Sequence, residues 1–402
     1  MVKQREELTP CPEAVTTEKS RRTTTLGLPM TTKGDRLFPL TPEAVRQLTE
    51  DTRLKVKIER HYPAAIHYSD SAFTSAGAEI TDRSETLGCD IVISLDPITK
   101  NEARQMKRGA TLLCLYAPET LDHDDVAALS SRGITVIALN MVSDDRDPRK
   151  HPIEDTLSEI SGRAAMTIVA ATLADRTTGK GILLGGVAGL VPCEVVVIGA
   201  GIAGRAAAAS ATGLGATVRI FDNDPYKLRS ATEALNGAVI ASSLHRKVYM
   251  HALASADVVI DTTEGSASTR VDADETNVLK QGVVIIDVTQ NPGHNFPSLK
   301  TRHLSRVPLI PIPGTEDWRE KERVCHHGAC TTVPRTVAMA LSNTLIPLLE
   351  QVAAHRCFID AIKLNKGLQR GVLLLAGKVV NRELADKTDH RCVDLNIYMQ
   401  LS

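Results

Sequence analysis

The chain lacks a net charge, a long apolar segment and a cysteine framework, and each absence excludes a class of protein. Its 47 lysines and arginines balance 48 aspartates and glutamates, so no excess of one sign attracts nucleic acid or an anionic membrane. No apolar run approaches the roughly 18–20 residues that cross a bilayer, and residues 1–26 contain no signal-peptide core. The eight cysteines are scattered, which favours reduced thiols. We therefore expect a cytoplasmic protein that binds neither nucleic acid nor membranes.

The length of the chain predicts more than one domain. Single hydrophobic cores stop growing at roughly 250–300 residues, and this chain has 402. Its hydrophobic content of 43% and charged content of 24% are those of a globular protein. It contains no internal repeat and no low-complexity tract. We therefore expect two folded domains.

The first 150 residues show an alternation of short apolar runs and polar or helical segments. Residues 1–24 are polar and are predicted to form a flexible extension. Strands are expected at 25–29, 89–95, 109–116 and 133–139, and a helix is expected to begin after its N-cap, Thr41, with Pro42 at its first position. This alternation indicates a parallel sheet with crossover helices. Residues 25–153 are therefore predicted to form an α/β domain of their own.

The most informative segment is residues 195–224, which read VVVIGAGIAGRAAAASATGLGATVRIFDND. A buried strand runs directly into Gly199, Gly201 and Gly204, which form a G-x-G-x-x-G turn that opens an alanine-rich helix. In such turns the first glycine permits the tight bend, the second admits a pyrophosphate, and the third lets helix and strand pack closely. The helix N-terminus offers N–H groups and partial positive charge to phosphates. The pattern predicts dinucleotide binding; the alternative is a purely structural glycine-rich turn.

Asp222 bears on which dinucleotide is bound. It ends the second strand about 20 residues beyond the glycines, where a carboxylate accepts hydrogen bonds from the adenosine ribose. A carboxylate there repels the 2′-phosphate of NADP, although Lys227 and Arg229 follow closely and soften this repulsion. NAD(H) is therefore the predicted cofactor.

The rest of the chain extends this second domain and then leaves it. Long helices are expected at about 154–176 and 333–354, and further buried strands at 256–262 and 282–289. We expect a Rossmann NAD(H)-binding domain at 154–337 and, at 338–402, C-terminal helices that return to the first domain. The predicted fold is α/β, with two Rossmann-like domains, parallel sheets and a cleft between them for a second substrate.

The order of these segments resembles that of the alanine dehydrogenase and pyridine nucleotide transhydrogenase family. The resemblance covers about residues 26–355, and its most specific part is 181–224, where a glycine-rich hairpin precedes the nucleotide fingerprint. It implies a catalytic N-terminal domain, NAD(H) as cofactor and a homodimer or larger homo-oligomer built partly around the nucleotide domains. The cofactor-binding residues expected from the fingerprint and the resemblance are Ser158, Gly199, Ala200, Gly201, Ile202, Ala203, Gly204, Asp222, Asn223, Thr262, Thr263, Val288 and Asn291.

The chain departs from this family at the substrate site. Arg36 matches the arginine that holds a substrate carboxylate, one residue further from the helix start than usual, and a guanidinium suits a carboxylate well. The family's lysine falls on Leu95, its histidine on Tyr116, and its acidic residue on Asn291. A phenol donates a proton but is a poor base at a pKa of about 10. The altered residues put ordinary alanine oxidation in doubt.

The transhydrogenase branch of the family carries an R-x-x-x-x-Q-x-x-D loop before the long helix. In this chain Asp155 matches the aspartate, but Pro152 and Asp147 occupy the glutamine and arginine positions. A transhydrogenase-like subunit is therefore the least favoured of the family's functions.

The segment CHHGAC (325–330) concentrates two cysteines and two histidines. A tetrahedral metal site usually draws its ligands from two separated pairs, so we assign no metal here. The resemblance places the segment in a loop that approaches the nicotinamide, where His326 or His327 is a candidate general acid–base; solvent-facing loop histidines are the alternative. His294 has a similar claim, and Glu264 is expected to be a solvated loop acid.

Two functions from different classes remain open. The first is an NAD(H)-dependent oxidoreductase of the amino-acid dehydrogenase or imine reductase type, in which Arg36 anchors a carboxylate or imine substrate and Tyr116, His326, His327 and Asn291 are the candidate catalytic residues. The second is a non-catalytic NAD(H)-binding protein that senses redox state or supports a partner.

Overall fold

The computed structural model of the chain describes residues 24–31, 37–52, 54–115, 120–176, 179–263, 265–304, 322–354 and 358–401. Arg36, Tyr116, Glu264 and the predicted extension up to residue 23 lie outside the described residues.

The first half of the chain forms a parallel sheet with helices in its crossovers. Thr41 caps the first helix as predicted, since its hydroxyl accepts a hydrogen bond from the Ala44 N–H at 3.3 Å. The strands are β1 (Thr25–Leu28), β2 (Lys55–Glu59), β3 (Glu79–Thr81), β4 (Ile91–Ser94), β5 (Thr111–Cys114) and β6 (Thr135–Ala138). The helices are α1 (Pro42–Asp51), α2 (Asp70–Ser75), α3 (Arg83–Leu87), α4 (Lys100–Gln105) and α5 (His123–Ser131), and a 3₁₀ turn covers Tyr62–Ile66.

A second parallel sheet follows the long helix α6 (Pro152–Ala174). Its strands are β7 (Glu194–Ile198), β8 (Thr217–Phe221), β9 (Ile240–Ser242), β10 (Val258–Asp261), β11 (Val284–Asp287), β12 (Lys300–His303) and β13 (Val324–His327). Their spatial order is β12-β13-β11-β10-β7-β8-β9. Helices α7 (Ile202–Gly213), α8 (Pro225–Ala234) and α9 (Arg246–Ser255) connect β7 to β10. The order reverses between β7 and β10, which is where open α/β sheets bind their ligands.

The C-terminal segment corrects one expectation. It was predicted to be helical throughout, and it does contain α10 (Pro334–Ala354), α11 (Phe358–Leu364), α12 (Lys366–Gly371), α13 (Arg382–Thr388) and α14 (Leu395–Leu401). It also contributes the strands β14 (Val372–Leu375) and β15 (Lys378–Val379); β14 pairs antiparallel with both β6 and β15. The first sheet therefore has the order β15-β14-β6-β5-β4-β1-β2-β3. All four residues of the apolar run VLLL are buried. A fully buried strand and a buried helix segment have the same apolar composition, so the sequence alone does not distinguish them.

Helices α6 and α10 connect the two sheets. α10 buries Val337, Leu341 and Leu345 in the same core as Leu26 of β1. α6 packs against α7 so closely that a Cβ on Gly162 would lie 2.2 Å from the Ala203 carbonyl oxygen, a distance that only glycine tolerates. The α/β class and the two Rossmann-like sheets are thus confirmed, and the cleft between them stays a prediction.

No single helix in the described part of the chain is long and apolar enough to cross a membrane. Among the described residues, α10 and α11 taken together reach that length and composition, and α10 buries Leu341, Leu345 and Leu349 in the core.

Candidate active site

The turn after β7 has the geometry that its glycines predict. Gly199 has a φ of +100°, and a Cβ there would lie 2.5 Å from the Thr262 hydroxyl oxygen. A Cβ on Gly204 would lie 2.0 Å from the Gly199 carbonyl oxygen. Both positions therefore require glycine for the chain's own packing.

Gly201 requires a different explanation. A Cβ built on Gly201 meets no atom within 4 Å, and its φ of −69° suits any residue. Gly201 is also the N-cap of α7 and supplies no side chain to cap the helix. The empty space therefore lies over a helix N-terminus whose first N–H groups have no side-chain acceptor, which is a site for an anion. This open cradle fits a pyrophosphate, and Arg205 adds a cation beside it by donating to the Ala200 carbonyl at 3.0 Å.

Asp222 lies beside the same turn. One of its carboxylate oxygens, Oδ2, accepts a hydrogen bond from the Ala200 N–H at 2.8 Å, and Oδ1 accepts one from the Asp224 N–H at 2.9 Å. Each carboxylate oxygen has a second lone pair, so both remain able to accept from a ribose hydroxyl. Its neighbour Asn223 donates to the Ser268 hydroxyl at 3.0 Å on the surface.

Two further predicted cofactor residues follow β10. The Thr262 hydroxyl donates to the Ile198 carbonyl oxygen at 2.8 Å and so holds the glycine turn. Thr263 donates through its N–H and its hydroxyl to Asp261, each at 3.2 Å. Ser158 lies one helical turn before Gly162, on the face of α6 that meets the start of α7. The fold therefore brings Ser158, the glycine turn, Asp222 and the two threonines to one edge of the second sheet.

Two buried carboxylates lie under this edge, and the residue predictions did not include them. Asp261 ends β10, Asp287 ends β11, and both side chains are fully buried. Oδ2 of Asp261 accepts from the Asn295 amide at 2.7 Å, and Asn295 also donates to the Thr263 hydroxyl at 3.0 Å. Sequence reasoning had a usable signal here, because both buried strands end in Ile-Asp.

Asp287 organises the loop after β11. Its Oδ1 accepts from the Thr289 N–H and its Oδ2 from the Gly293 N–H, each at 2.8 Å. Val288, predicted to contact the cofactor, donates through its N–H to the Asp261 carbonyl at 2.9 Å. Asn291 is exposed in this loop, with its amide 3.4 Å from Nδ1 of His294. The loop is therefore shaped by a buried carboxylate and presents an amide to solvent.

The structure corrects the placement of His326 and His327. They were expected in a loop, but they lie in β13, between β11 and β12. Successive side chains of a strand point to opposite faces, so the two imidazoles project from opposite sides of the sheet. The His327 ring packs edge-on against His303, with 4.8 Å between ring centroids. Neither histidine has been tested as an acid or base, and at most one of them faces a given ligand.

The substrate end of the predicted site is described only in part. Leu95 follows β4 and packs against the core of the first domain, so it supplies no charge where the resemblance expects a lysine. Asp147 pairs with the Arg149 side chain at 3.0 Å, in the loop where the transhydrogenase pattern has its arginine. Arg36 and Tyr116 lie outside the described residues, and their roles stay predictions. Within the described segments, no group of three or more His, Cys, Asp or Glu residues is placed to hold a metal ion.

Comparison with known proteins identifies similar chains along nearly the whole length. The N-terminal domain family of alanine dehydrogenase/PNT matches residues 31–161, and the C-terminal domain family of alanine dehydrogenase/PNT matches residues 165–382. An alanine dehydrogenase of Bacillus subtilis is 29% identical over 369 residues, which are 90% of this chain and 93% of that protein. An alanine dehydrogenase of Staphylococcus saprophyticus is 26% identical over 378 residues, covering 92% of this chain and 98% of that protein.

Solved structures show the same fold. An L-alanine dehydrogenase superposes with a TM-score of 0.77 at 24% identity, covering 90% of this chain and 98% of that one. A transhydrogenase from Sinorhizobium meliloti superposes with a TM-score of 0.69 at 20% identity, covering 89% of this chain and 99% of that one.

Proposed function

Because this chain belongs to the alanine dehydrogenase/PNT family, whose cofactor is NAD(H), we propose that it is an oxidoreductase acting on a carboxylate-bearing amino acid or imine. NAD(H), when bound, supplies or accepts the hydride. The observation that carries the proposal is the contrast between the two halves of the site. The glycine turn leaves open space at the N-terminus of α7, which suits a pyrophosphate, whereas the substrate residues expected from the resemblance differ from the family's pattern at three positions.

The residues of the predicted site have the following proposed roles in this reaction. The first N–H groups of α7 and Arg205 bind the pyrophosphate, and Asp222 accepts from the adenosine ribose. Arg36 holds the substrate carboxylate through paired hydrogen bonds. With Leu95 in place of the lysine, no cation polarises the substrate carbonyl from that position. A substrate that enters as a preformed imine, or that carries its own proton-transfer group, does not need that cation.

An activity screen tests the proposal. NADH oxidation is followed with a panel of 2-oxo acids in the presence and absence of amines, and NAD reduction is followed with a panel of amino acids. We expect turnover with at least one 2-oxo acid and amine pair, and an Arg36→Lys variant should raise its KM because lysine cannot make paired bonds. Binding of NADH without turnover of any substrate would refute the proposal and leave the non-catalytic redox sensor, which no other observation favours.

Asp222 should determine the preference for NADH over NADPH. Asp222→Ala removes one or two charge-assisted hydrogen bonds to the ribose. NADH should therefore bind roughly 10- to 150-fold more weakly, which is a loss of about 1.5–3 kcal/mol of binding free energy. NADPH should lose far less or gain, because its 2′-phosphate is no longer repelled. Calorimetric titration with each nucleotide measures the two affinities. Asp222→Ala also removes the hydrogen bond from the Ala200 N–H, and a turn loosened by that loss would weaken NADPH binding as well, so NADPH serves as the internal control. An unchanged preference would place the ribose elsewhere.

Tyr116 is proposed as the acid that replaces the family's histidine. Tyr116→Phe should lower kcat about 10²-fold, the contribution of one general acid, with little change in NADH affinity. Steady-state kinetics on the best substrate of the screen measures both quantities. A variant nearly as active as the parent would mean that Tyr116 only packs beneath the site.

We also propose a homo-oligomer, which an exposed apolar surface supports. The hairpin at 181–192 leaves Leu183, Leu190 and Val191 exposed by 63%, 67% and 89%. Contiguous exposed apolar residues of this kind mark interaction surfaces. Sedimentation velocity should show a dimer or larger species for the parent and a smaller one for Val191→Asp; the same mass for both would remove the hairpin from the interface.

A further inference from the structure

Asp261 and Asp287 are side by side under the cofactor edge. β10 and β11 are parallel neighbours, and these two residues are register partners at the last position of each strand. Register partners in a parallel sheet point to the same face, so the two carboxyl groups share one space between the sheet and its covering layer. Both residues are fully buried.

Among the described residues, no lysine or arginine side chain donates a hydrogen bond to either carboxyl group. Their hydrogen-bond donors in the described part of the chain are backbone N–H groups, the Thr263 hydroxyl, the Asn295 amide and the Cys325 thiol, none of which carries a charge. Two like charges in a dry site cannot both be stable. Burial, together with the charge of Asp287, raises the pKa of Asp261 to about 7.

Two other titratable groups near the pair, the Cys325 thiol and the Tyr249 phenol, stay protonated. The Cys325 thiol of β13 is 3.9 Å from Asp287, and burial and the two aspartates raise its pKa, so it remains protonated. Burial likewise raises the pKa of the Tyr249 phenol on α9, which donates to the Thr269 carbonyl oxygen at 2.9 Å. His327 is the register partner of Asp287 on its other side. The variants below therefore include His327 as the alternative source of the proton.

The loops that follow the two aspartates carry proposed cofactor residues. Thr262 and Thr263 come directly after Asp261, and Val288 and Asn291 come after Asp287. This step rests on the proposed function: with the adenosine ribose at Asp222 after β8, on one side of the glycine turn, the nicotinamide half extends to the other side, over the ends of β10 and β11. The nicotinamide ring is positively charged in NAD⁺ and neutral in NADH, and a nearby positive charge favours the ionised form of a carboxyl group.

We propose that the Asp261 carboxyl group, which lies beside that of Asp287, holds a proton in the free protein, releases it when NAD⁺ binds and keeps it when NADH binds. The proton passes to the solvent buffer, and no bond other than O–H is broken. By linkage, the preference for the oxidised cofactor then increases as the pH rises. A positive charge within roughly 10 Å, at an effective dielectric constant of about 20, lowers a carboxyl pKa by about one.

Calorimetric titration of the parent protein with NAD⁺ and with NADH tests the proposal without any substrate. Titrations near pH 6.5 in two buffers of different ionisation enthalpy give the number of protons that the protein releases on binding. Binding of NAD⁺ should release about half a proton more than binding of NADH does. The ratio of the NADH Kd to the NAD⁺ Kd should rise about fivefold between pH 6 and pH 8.5. Because the readout is binding, an inactive protein that still binds both nucleotides gives a valid result, so failure of the proposed reaction and failure of this inference are distinguishable.

Three variants assign the proton. Asp261→Asn should abolish the difference in proton release, whereas Asp274→Asn, which changes an exposed aspartate of the same domain, should leave it as in the parent. His327→Gln should also retain it. Equal proton release by the two nucleotides in the parent would overturn the proposal even if Asp261→Asn failed to fold. Loss of the difference in His327→Gln, together with its retention in Asp261→Asn, would overturn it in favour of the histidine.

Discussion

The Gly201→Val variant is expected to fold as the parent does and to bind NADH about 10²- to 10⁴-fold more weakly. A valine side chain at this position meets no protein atom within 4 Å of its Cβ, so the chain itself has no reason to change. The same space is where a pyrophosphate reaches the N–H groups of α7. Losing two charge-assisted hydrogen bonds at about 1.5–3 kcal/mol each accounts for a loss of this size.

Two other glycines serve as controls for Gly201. Gly213→Ala, near the end of the same helix, also adds a Cβ into open space, and it should leave both stability and NADH affinity close to those of the parent. Gly204→Ala places a Cβ 2.0 Å from a backbone oxygen and should lower the thermal midpoint as well as the affinity. Calorimetry and thermal unfolding measure the three variants together. Tight NADH binding by Gly201→Val would mean that the phosphates do not cross this turn.

The second large effect concerns the pH dependence of folding. The pKa of Asp261 is raised from 3.8 to about 7 in the folded protein, so the folded state binds more protons than the unfolded state between these values. The stability that this group contributes is fully present below about pH 4 and is lost as the pH rises through 7. A difference of about three in pKa corresponds to up to about 4 kcal/mol in the free energy of unfolding.

Asp261→Asn removes this dependence because an amide does not titrate. Urea unfolding of the cofactor-free protein at several values between pH 4 and pH 8.5 should give a shallower decline for the variant than for the parent. A constant offset between the two curves is expected as well, because the new amide opposes the Asn295 amide. The slope is therefore the decisive quantity. Parallel curves would show that Asp261 is ionised throughout this range.

The accuracy of sequence reasoning varied with how local each feature is. The glycine turn, the N-cap at Thr41 and the long helices α6 and α10 follow from neighbouring residues, and all were predicted. Several strands were missed for a different reason: β9 and β12 are short, and β12 is largely exposed, so neither has an apolar pattern to detect. The resemblance places β13 in a loop, and its residues, VCHH, are polar for an interior strand and give no signal of a strand.

The residues of the candidate site also differ in how far neighbouring residues predict them. The residues around Gly201 could be predicted because one continuous segment supplies the strand, the turn and the helix. The buried pair could not be predicted as a pair, since Asp261 and Asp287 meet only through the register of β10 and β11. The substrate residues depend on an alignment to the family, and the changed residues at positions 95 and 116 limit what that alignment predicts.

The sequence by itself determined the cofactor class and the α/β architecture, because these follow from residue types at short spacing. Only the tertiary structure decided that the two histidines of β13 point to opposite faces, that a C-terminal hairpin completes the first sheet, and that two buried aspartates lie side by side at the ends of β10 and β11. Each of these depends on which distant strands pair and in what register. Strand pairing is a long-range choice, set by packing of the whole sheet rather than by the residues of any one strand.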